Sequence, residues 1–430
     1  MKKCLILGGG FAGLTSAVYL SKAGFKVEVI EASPKLGGRA YSLTDTETNT
    51  KIDNGQHILM GCYKETLKFF ELINATQNLE FQKKLKINFV KQGFKIIPLE
   101  AADIFYPLNL IIGVLNYKAL SLAERLKLLL FFLKLFFVTE KDLRGFSVHK
   151  WLELEKQTEN LRKAFWEILC VGALNTSIRK ASAVTFADIL KKIFLRGNSS
   201  ATIVLPKEDL SETYCNDSQK YIEEKGGEIF YSERIEELIF ESDKLVKIRT
   251  SRRKISDFDF VISTMPLYSL EKVVSNIKDL TEVHFSYSSI LSIHIWLNEN
   301  KLDRTFYGLI NSKVHWVFNH GSHLTLVISY ANDLIELSKE ELFEMATEEL
   351  TKFLNISREE IISYKVLKEK RATFVPSNEI LEQRPFSITK FTNFFLAGDW
   401  IETGLPSTIE SAVFSGRIAA ELILSNQRHN

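Results

Sequence analysis

Cysteine is scarce in this chain and never clustered. Cys4, Cys62, Cys170 and Cys215 lie far apart, with no CxxC pair and no metal-type spacing. That excludes a disulfide scaffold and a thiolate metal centre, and suits reduced thiols in the cytoplasm. An excess of one charge is missing too. The 55 basic and 53 acidic residues leave a formal charge of +2, so nothing offers nucleic acid an electrostatic footprint. The longest uncharged apolar run, Ile104 to Tyr117, falls short of the roughly 20 residues needed to cross a bilayer. Glycines interrupt the opening "MKKCLILGGG" too early for a secretory signal. Internal repeats and low-complexity linkers are absent as well.

What is present is length, phenylalanine and a nucleotide-binding signature. A chain of 430 residues exceeds one simple core and points to two joined domains. Residues 2–9 read as a strand, 13–23 as a helix and 26–31 as a second strand. Gly8, Gly10 and Gly13 form G-x-G-x-x-G at the strand-to-helix junction, with Phe11 and Ala12 inside the motif. There, backbone amides and a helix N-terminus can hold a pyrophosphate. Glu31, followed by Ala32, ends the next strand, where a carboxylate can bind both ribose hydroxyls of an adenosine. An acid at that position argues against a 2'-phosphate and leaves NAD and FAD open.

Further elements recur late in the chain. A helix is predicted over 218–225, strands through Phe230 and over 259–264, and a strand, loop and helix at the C-terminus. Residues 99–200 read as mostly helical and 285–330 as strand-rich. In "SSILSIHIWLN", Ser292, His294 and Trp296 alternate with Ile293, Ile295 and Leu297, which suits a sheet with one face on a core. Residues 121–138 open with a capping box, Ser121 to Glu124, and predict a helix. Its charges, Glu124, Arg125, Lys127 and Lys134, are expected on one side. Two readings follow: a buried cap helix, or an interfacial segment resting on a membrane or forming the lip of a greasy channel.

"PKLGGRAYS", with Gly37, Gly38 and Arg39, and the C-terminal "FFLAGDW", with Gly398 and Asp399, resemble the flavin-dependent amine oxidase and phytoene desaturase superfamily. That resemblance implies FAD. It places Arg39 near the phosphate or ring and Asp399 at the ribityl chain or pyrophosphate. It also sets Leu405, Pro406, Thr408 and Ile409 at a helix N-terminus facing the flavin, the Ile235 backbone beside adenine, and Thr264 among the cofactor-binding residues. "DNGQH", "ALNTSIRKASA", "LPKEDL" and "LAGDWIETGLPSTIESAVFSGRIAAE" resemble the hydroxysqualene dehydroxylase branch. The one departure is Ile178, Arg179 and Lys180, where proline and acidic residues are expected.

The resemblance implies an α/β fold. A discontinuous Rossmann-like FAD-binding domain (1–85, 205–280 and 385–430) is interleaved with a mixed α+β substrate domain (86–204 and 281–384). It further implies a C30 isoprenoid substrate and reductive loss of its hydroxyl, giving squalene for hopanoid synthesis, with hydride from reduced flavin N5 quenching an allylic cation. Asn54, Gly55 and Gln56 would return to the flavin. Departing hydroxide needs a proton, so His57 is the expected acid and Gln56 the positioning group, with Tyr307, His294 and His315 as weaker candidates. The 31 phenylalanines against five tryptophans can build an oily tunnel, and a membrane surface at the inner face of the cytoplasmic membrane would deliver the lipid. The electron donor is not legible. Rival readings are a carotenoid-type desaturase, an amine oxidase and a flavin-free prenyl-lipid escort protein.

Overall fold

The computed structural model describes residues 1–274 and 283–426, so the expected domain boundary at 280/281 and residues 427–430 lie outside the described residues. Five parallel strands make the first sheet. Their spatial order is Glu228–Phe230, Lys26–Ile30, Lys3–Leu7, Phe260–Ser263, Phe394–Leu396. The apolar run of Lys3–Leu7 suits a strand covered on both faces, and Cys4 to Leu7 are fully enclosed. Helix Phe11–Lys22 packs against the C-terminal helix Ile409–Asn426. Only small residues permit that contact: a Cβ on Gly416 would lie 2.3 Å from the Ala12 carbonyl oxygen, and Ser16 Oγ donates to the Gly416 carbonyl at 3.0 Å. The two ends of the chain are therefore one body.

A seven-stranded mixed sheet forms the second layer. Its order is Ile361–Phe374, Tyr287–Leu297, Leu324–Ser329, Trp316–Asn319, Phe306–Leu309, Lys86–Lys91, Lys95–Glu100. Alternation in Tyr287–Leu297 assigns its faces. Leu291, Ile293 and Ile295 join the core under helix Lys339–Leu354. Ser292 and Trp296 turn to the opposite face, where a Cβ on Gly55 would sit 3.5 Å from Ser292 Oγ and the Trp296 indole donates to Thr50 Oγ1 at 3.2 Å.

Between residues 108 and 194 a helical layer covers one side of this sheet. Its core is aromatic, with the Phe131 ring centroid 4.8 Å from Trp151 and 4.5 Å from Trp166. Helix Leu122–Leu135 carries the expected capping box, but the expected charged side is corrected. Glu124 is buried, held by Thr158 Oγ1 at 2.6 Å and Asn160 Nδ2 at 3.0 Å. Leu122, Leu126, Leu130 and Leu133 face outward instead. The cap consumes the charge that the periodicity assigned to the surface.

Candidate functional site

The first turn is shaped by glycine. Gly8 has φ +116°, and a Cβ on Gly13 would fall 1.9 Å from the Gly8 carbonyl oxygen, so helix Phe11–Lys22 can start there only without a side chain. That helix has no acidic residue in its first turn and no side-chain cap, leaving its first amides for an anion. Thr264 Oγ1 donates within reach of the Leu7 and Gly8 carbonyls at 3.0 and 3.1 Å, bracing the turn from the neighbouring strand. Phe11 is buried and stacks on Tyr214 at 3.8 Å, and Ala12 packs on Gly416. Their side chains therefore serve the core, leaving only backbone groups for a ligand. The Glu31 carboxylate accepts from Gly9 N at 2.6 Å and Ser33 N at 2.8 Å. Ala32 beside it is exposed. Residues 230–235 run alongside, with Glu233 N bonded to the Glu31 carbonyl at 2.9 Å, and Ile235 opens the next strand.

A second turn closes on the first. Gly37 N donates to the Gly9 carbonyl at 2.9 Å, and a Cβ on Gly38 would lie 3.1 Å from Gly10 Cα. Arg39 emerges from this turn, donating to the Ala372 carbonyl at 2.8 Å and pairing with Asp399. Burial pushes the Asp399 carboxyl up, but the Arg39 charge and hydrogen bonds from Arg39 and Ser407 more than offset it and hold the group below its usual range. Gly398, at φ +141°, and a 2.8 Å bond from its N–H to Ser415 Oγ aim this loop. Thr408 Oγ1 accepts from Ser411 N at 3.2 Å, capping the helix that begins at Ile409.

DNGQH divides its labour. Asp53 accepts from Ser42 Oγ at 2.8 Å and Leu210 N at 3.0 Å, and burial raises its carboxyl to about 6. Asn54 donates to the Arg39 carbonyl at 2.8 Å and accepts from Tyr41 N at 3.2 Å, clamping the second turn. Gln56 Oε1 is buried without a partner among the described residues. His57 lies deep yet keeps accessible surface, so it faces internal space. Burial, and then the nearby Arg39 charge, lower the His57 pKa to about 4, so the ring is neutral near pH 7 and offers one N–H.

A cavity of about 380 Å³ opens beside this centre, and its wall begins at Ile58 and Met60, just past His57. Leu85, Ile87, Phe89 and Leu99 line one side, Phe165, Ile168, Ile189 and Phe194 the other. Leu405, Pro406, Thr408 and Glu410 close the end at the C-terminal helix, with Cys62, Tyr63 and Lys192 nearby. Tyr307, His294 and His315 lie outside it. Tyr307 is buried on the far core, its hydroxyl taken by the Asp303 and Arg304 amides at 3.2 and 3.1 Å. His294 pairs with Thr325 Oγ1 at 3.1 Å, and His315 accepts from Ser329 N at 3.2 Å. Burial lowers both to about 4.

Two supporting residues escaped sequence reasoning. Tyr214 donates toward the Gly37 and Ala40 carbonyls at 3.1 and 2.9 Å from beneath the second turn. Arg384 spends its guanidinium on the carbonyls of Leu405 (2.7 Å), Asp399 (3.1 Å), Trp400 (3.4 Å) and Ile401, fixing the whole 399–405 loop. Neither sits in a motif, and their contacts reach 15 to 177 residues along the chain.

These features fit FAD. Two glycine turns leave a cradle that a Cβ would fill, a helix start offers free amides, and the Arg39 side chain, deep in the molecule, remains 35% accessible beside Asp399. Comparison with known proteins agrees. Hydroxysqualene dehydroxylase of Zymomonas mobilis is 27% identical over 98% of this chain and 99% of its own length. That of Sinorhizobium fredii is 26% identical over 99% of both. An oxidoreductase from Methanosarcina mazei has the same fold, with a TM-score of 0.73 at 18% identity over 97% of this chain and 100% of its own. The family model for flavin containing amine oxidoreductases matches residues 11–424, so this chain belongs to that family and is an FAD-dependent oxidoreductase.

Proposed function

We propose that this enzyme removes the hydroxyl of hydroxysqualene reductively, giving squalene for hopanoid synthesis. The carrying observation is the cavity: apolar along its length, polar at one end, and ending against the loop of Asp399 and the C-terminal helix. A lipid with a single hydroxyl matches that distribution. The relatives support the substrate class, since hydroxysqualene dehydroxylases and 15-cis-phytoene desaturases both align over nearly the whole chain. In this reading residues 1–85, 205–280 and 385–430 hold FAD. Gly8, Gly10 and Gly13 receive the pyrophosphate, Glu31 the ribose, and Arg39 with Asp399 the flavin side. Bound there in reduced form, FAD would supply the hydride that replaces the hydroxyl, which with one proton would leave as water. The protein's part is to keep water out with the Ile58, Met60 and Phe89 walls and to hold His57 neutral beside Arg39, so that its N–H orients a polar group without charging the chamber.

Delivery belongs to the same reading. No helix among the described residues is long and apolar enough to cross a membrane. Yet Ile104, Phe105, Leu108 and Ile112 are exposed on one helix and the approach to it, and Leu122, Leu126, Leu130, Leu133 and Phe137 on and just past the next. Lys118, Lys127 and Lys134 are the exposed charges among residues 104–138. An apolar face with basic residues suits an anionic bilayer surface. It reaches the cavity wall through Phe194, whose carbonyl accepts from Tyr106 at 2.9 Å and whose ring lies 5.2 Å from Phe132.

The test is anaerobic. Protein with chemically reduced flavin is mixed with hydroxysqualene, and squalene is expected by mass spectrometry as the flavin reoxidises. Absence of squalene, with coloured products from phytoene and an oxidant, would replace this reading with the desaturase one, which the phytoene desaturase of Synechococcus elongatus favours at 22% identity over 98% of this chain.

A further inference from the structure

We infer that the Tyr63 hydroxyl recognises the substrate's alcohol and thereby distinguishes substrate from hydrocarbon product. The assignment rests on the functional reading above and adds a specificity residue to it.

Tyr63 stands at the polar end of the cavity, immediately before helix Lys64–Leu72. Its backbone is fixed by a 2.9 Å bond from its N–H to the Met60 carbonyl. Met60 is itself held in a strand pairing with Ile203. The ring lies deep but keeps accessible surface, which faces the internal space. No described residue hydrogen-bonds its hydroxyl, and that oxygen is not sealed off among protein atoms. A tyrosine hydroxyl this deep ordinarily has a partner. Burial, with Cys62 and Glu410 adding to it, raises the phenol's pKa, so it stays an O–H donor throughout the working range.

Its neighbours on this wall are already committed. The Glu410 carboxylate accepts from Glu65 N at 3.0 Å, Thr66 N at 2.8 Å and Thr66 Oγ1 at 2.7 Å, capping the Lys64–Leu72 helix. Thr408 Oγ1 caps the C-terminal helix. Lys192 Nζ reaches the Gly404 carbonyl at 3.4 Å. Cys62 is a weak donor whose thiol burial pushes up to about 11. Among the described hydroxyls that line the cavity, Tyr63's is thus the one with no partner, while the Lys192 ammonium, with its one contact to Gly404, and the Arg196 guanidinium are the charged donors there.

An allylic alcohol and the alkene made from it differ at one oxygen. With the alcohol bound, the phenol has an acceptor; with the hydrocarbon bound, it is buried unpaired. A site holding such a donor disfavours the ligand that lacks the acceptor, here by about tenfold in affinity. Product release is helped by the same imbalance.

The experiment measures hydroxysqualene and squalene binding to the FAD-loaded protein by quenching of tryptophan fluorescence in detergent, since Trp316 lines the cavity. Wild type should prefer the alcohol about tenfold, Tyr63→Phe should bind both ligands equally, and Tyr63→His, which keeps a donor, should retain a preference. FAD content and melting temperature are read alongside. An alcohol preference that survives in Tyr63→Phe overturns the assignment alone. So does loss of FAD from that variant with the preference intact, which would give the phenol to the cofactor. A wild-type protein that binds neither ligand overturns the functional reading and this inference together.

Discussion

Replacing Arg384 by methionine tests how the site is held. The arginine side chain is fully enclosed, and methionine keeps its unbranched stem while removing every donor. The carbonyls of Leu405, Asp399, Trp400 and Ile401 then lose their partner in one step. Each buried acceptor left unpaired costs about 1–3 kcal/mol. Relaxation of the loop recovers part of that, so the net loss is about 3–5 kcal/mol, the range for breaking a buried charged network. With an unfolding entropy of about 0.9 kcal/mol/K for a chain of this size, the melting temperature should fall by about 4 °C. FAD retention should suffer more than melting, because the loop that slackens carries Asp399 and leads into the C-terminal helix. Arg384→Lys should recover part of both losses, since an ammonium can reach some of the four carbonyls. The assay is a melt followed by flavin fluorescence on release, beside the absorbance of bound FAD before heating. A methionine variant that melts within about 1 °C of wild type with full FAD content would refute the reasoning.

Other outcomes follow from the same geometry. Gly13→Ala should purify with little FAD, because its Cβ would meet the Gly8 carbonyl oxygen at 1.9 Å and push the helix off the turn; yellow protein at full stoichiometry would count against that account. Asp53 has a folded pKa near 6, above its ordinary 3.8, so the stability it contributes is complete only below 3.8 and lost as pH rises through 6. Asp53→Asn should therefore gain up to about 3 kcal/mol relative to wild type between pH 4 and 7 in urea unfolding, and a pH-independent difference would contradict it. His294, buried and lowered to about 4, works in the opposite direction. Its share of stability is present above pH 6.5 and lost as pH falls through 4, so His294→Gln should flatten the acid limb of the unfolding profile, and an unchanged limb would exclude it. Exchanging Leu126, Leu130 and Leu133 for glutamate should leave melting nearly unchanged, since all three are exposed, while abolishing sedimentation with anionic vesicles; retained sedimentation would remove the bilayer from the functional reading.

Much of the fold was legible because its cues are local. A G-x-G-x-x-G before a helix, an acid at the end of the next strand, and the alternation around His294 each depend on neighbours a few residues away. The helix over 121–138 was equally legible, but its orientation was not. Periodicity placed Glu124 on an outer face, whereas bonds from Thr158 and Asn160, 34 and 36 residues on, draw it inward. DNGQH shows the same limit: the residues were found, but their roles turn on Ser42, Leu210 and Arg39.

The amino-acid order by itself determined the glycine turns of this protein, since close backbone approach and positive φ angles can be met only by glycines written in place. It also determined that the middle would be oily. Tertiary structure alone decided which polar groups stay unspent, because hydrogen bonding is settled by whichever partners packing brings within about 3 Å. That settlement neutralised His57, consumed Glu410 and Arg384 in scaffolding, and left the Tyr63 hydroxyl facing the chamber.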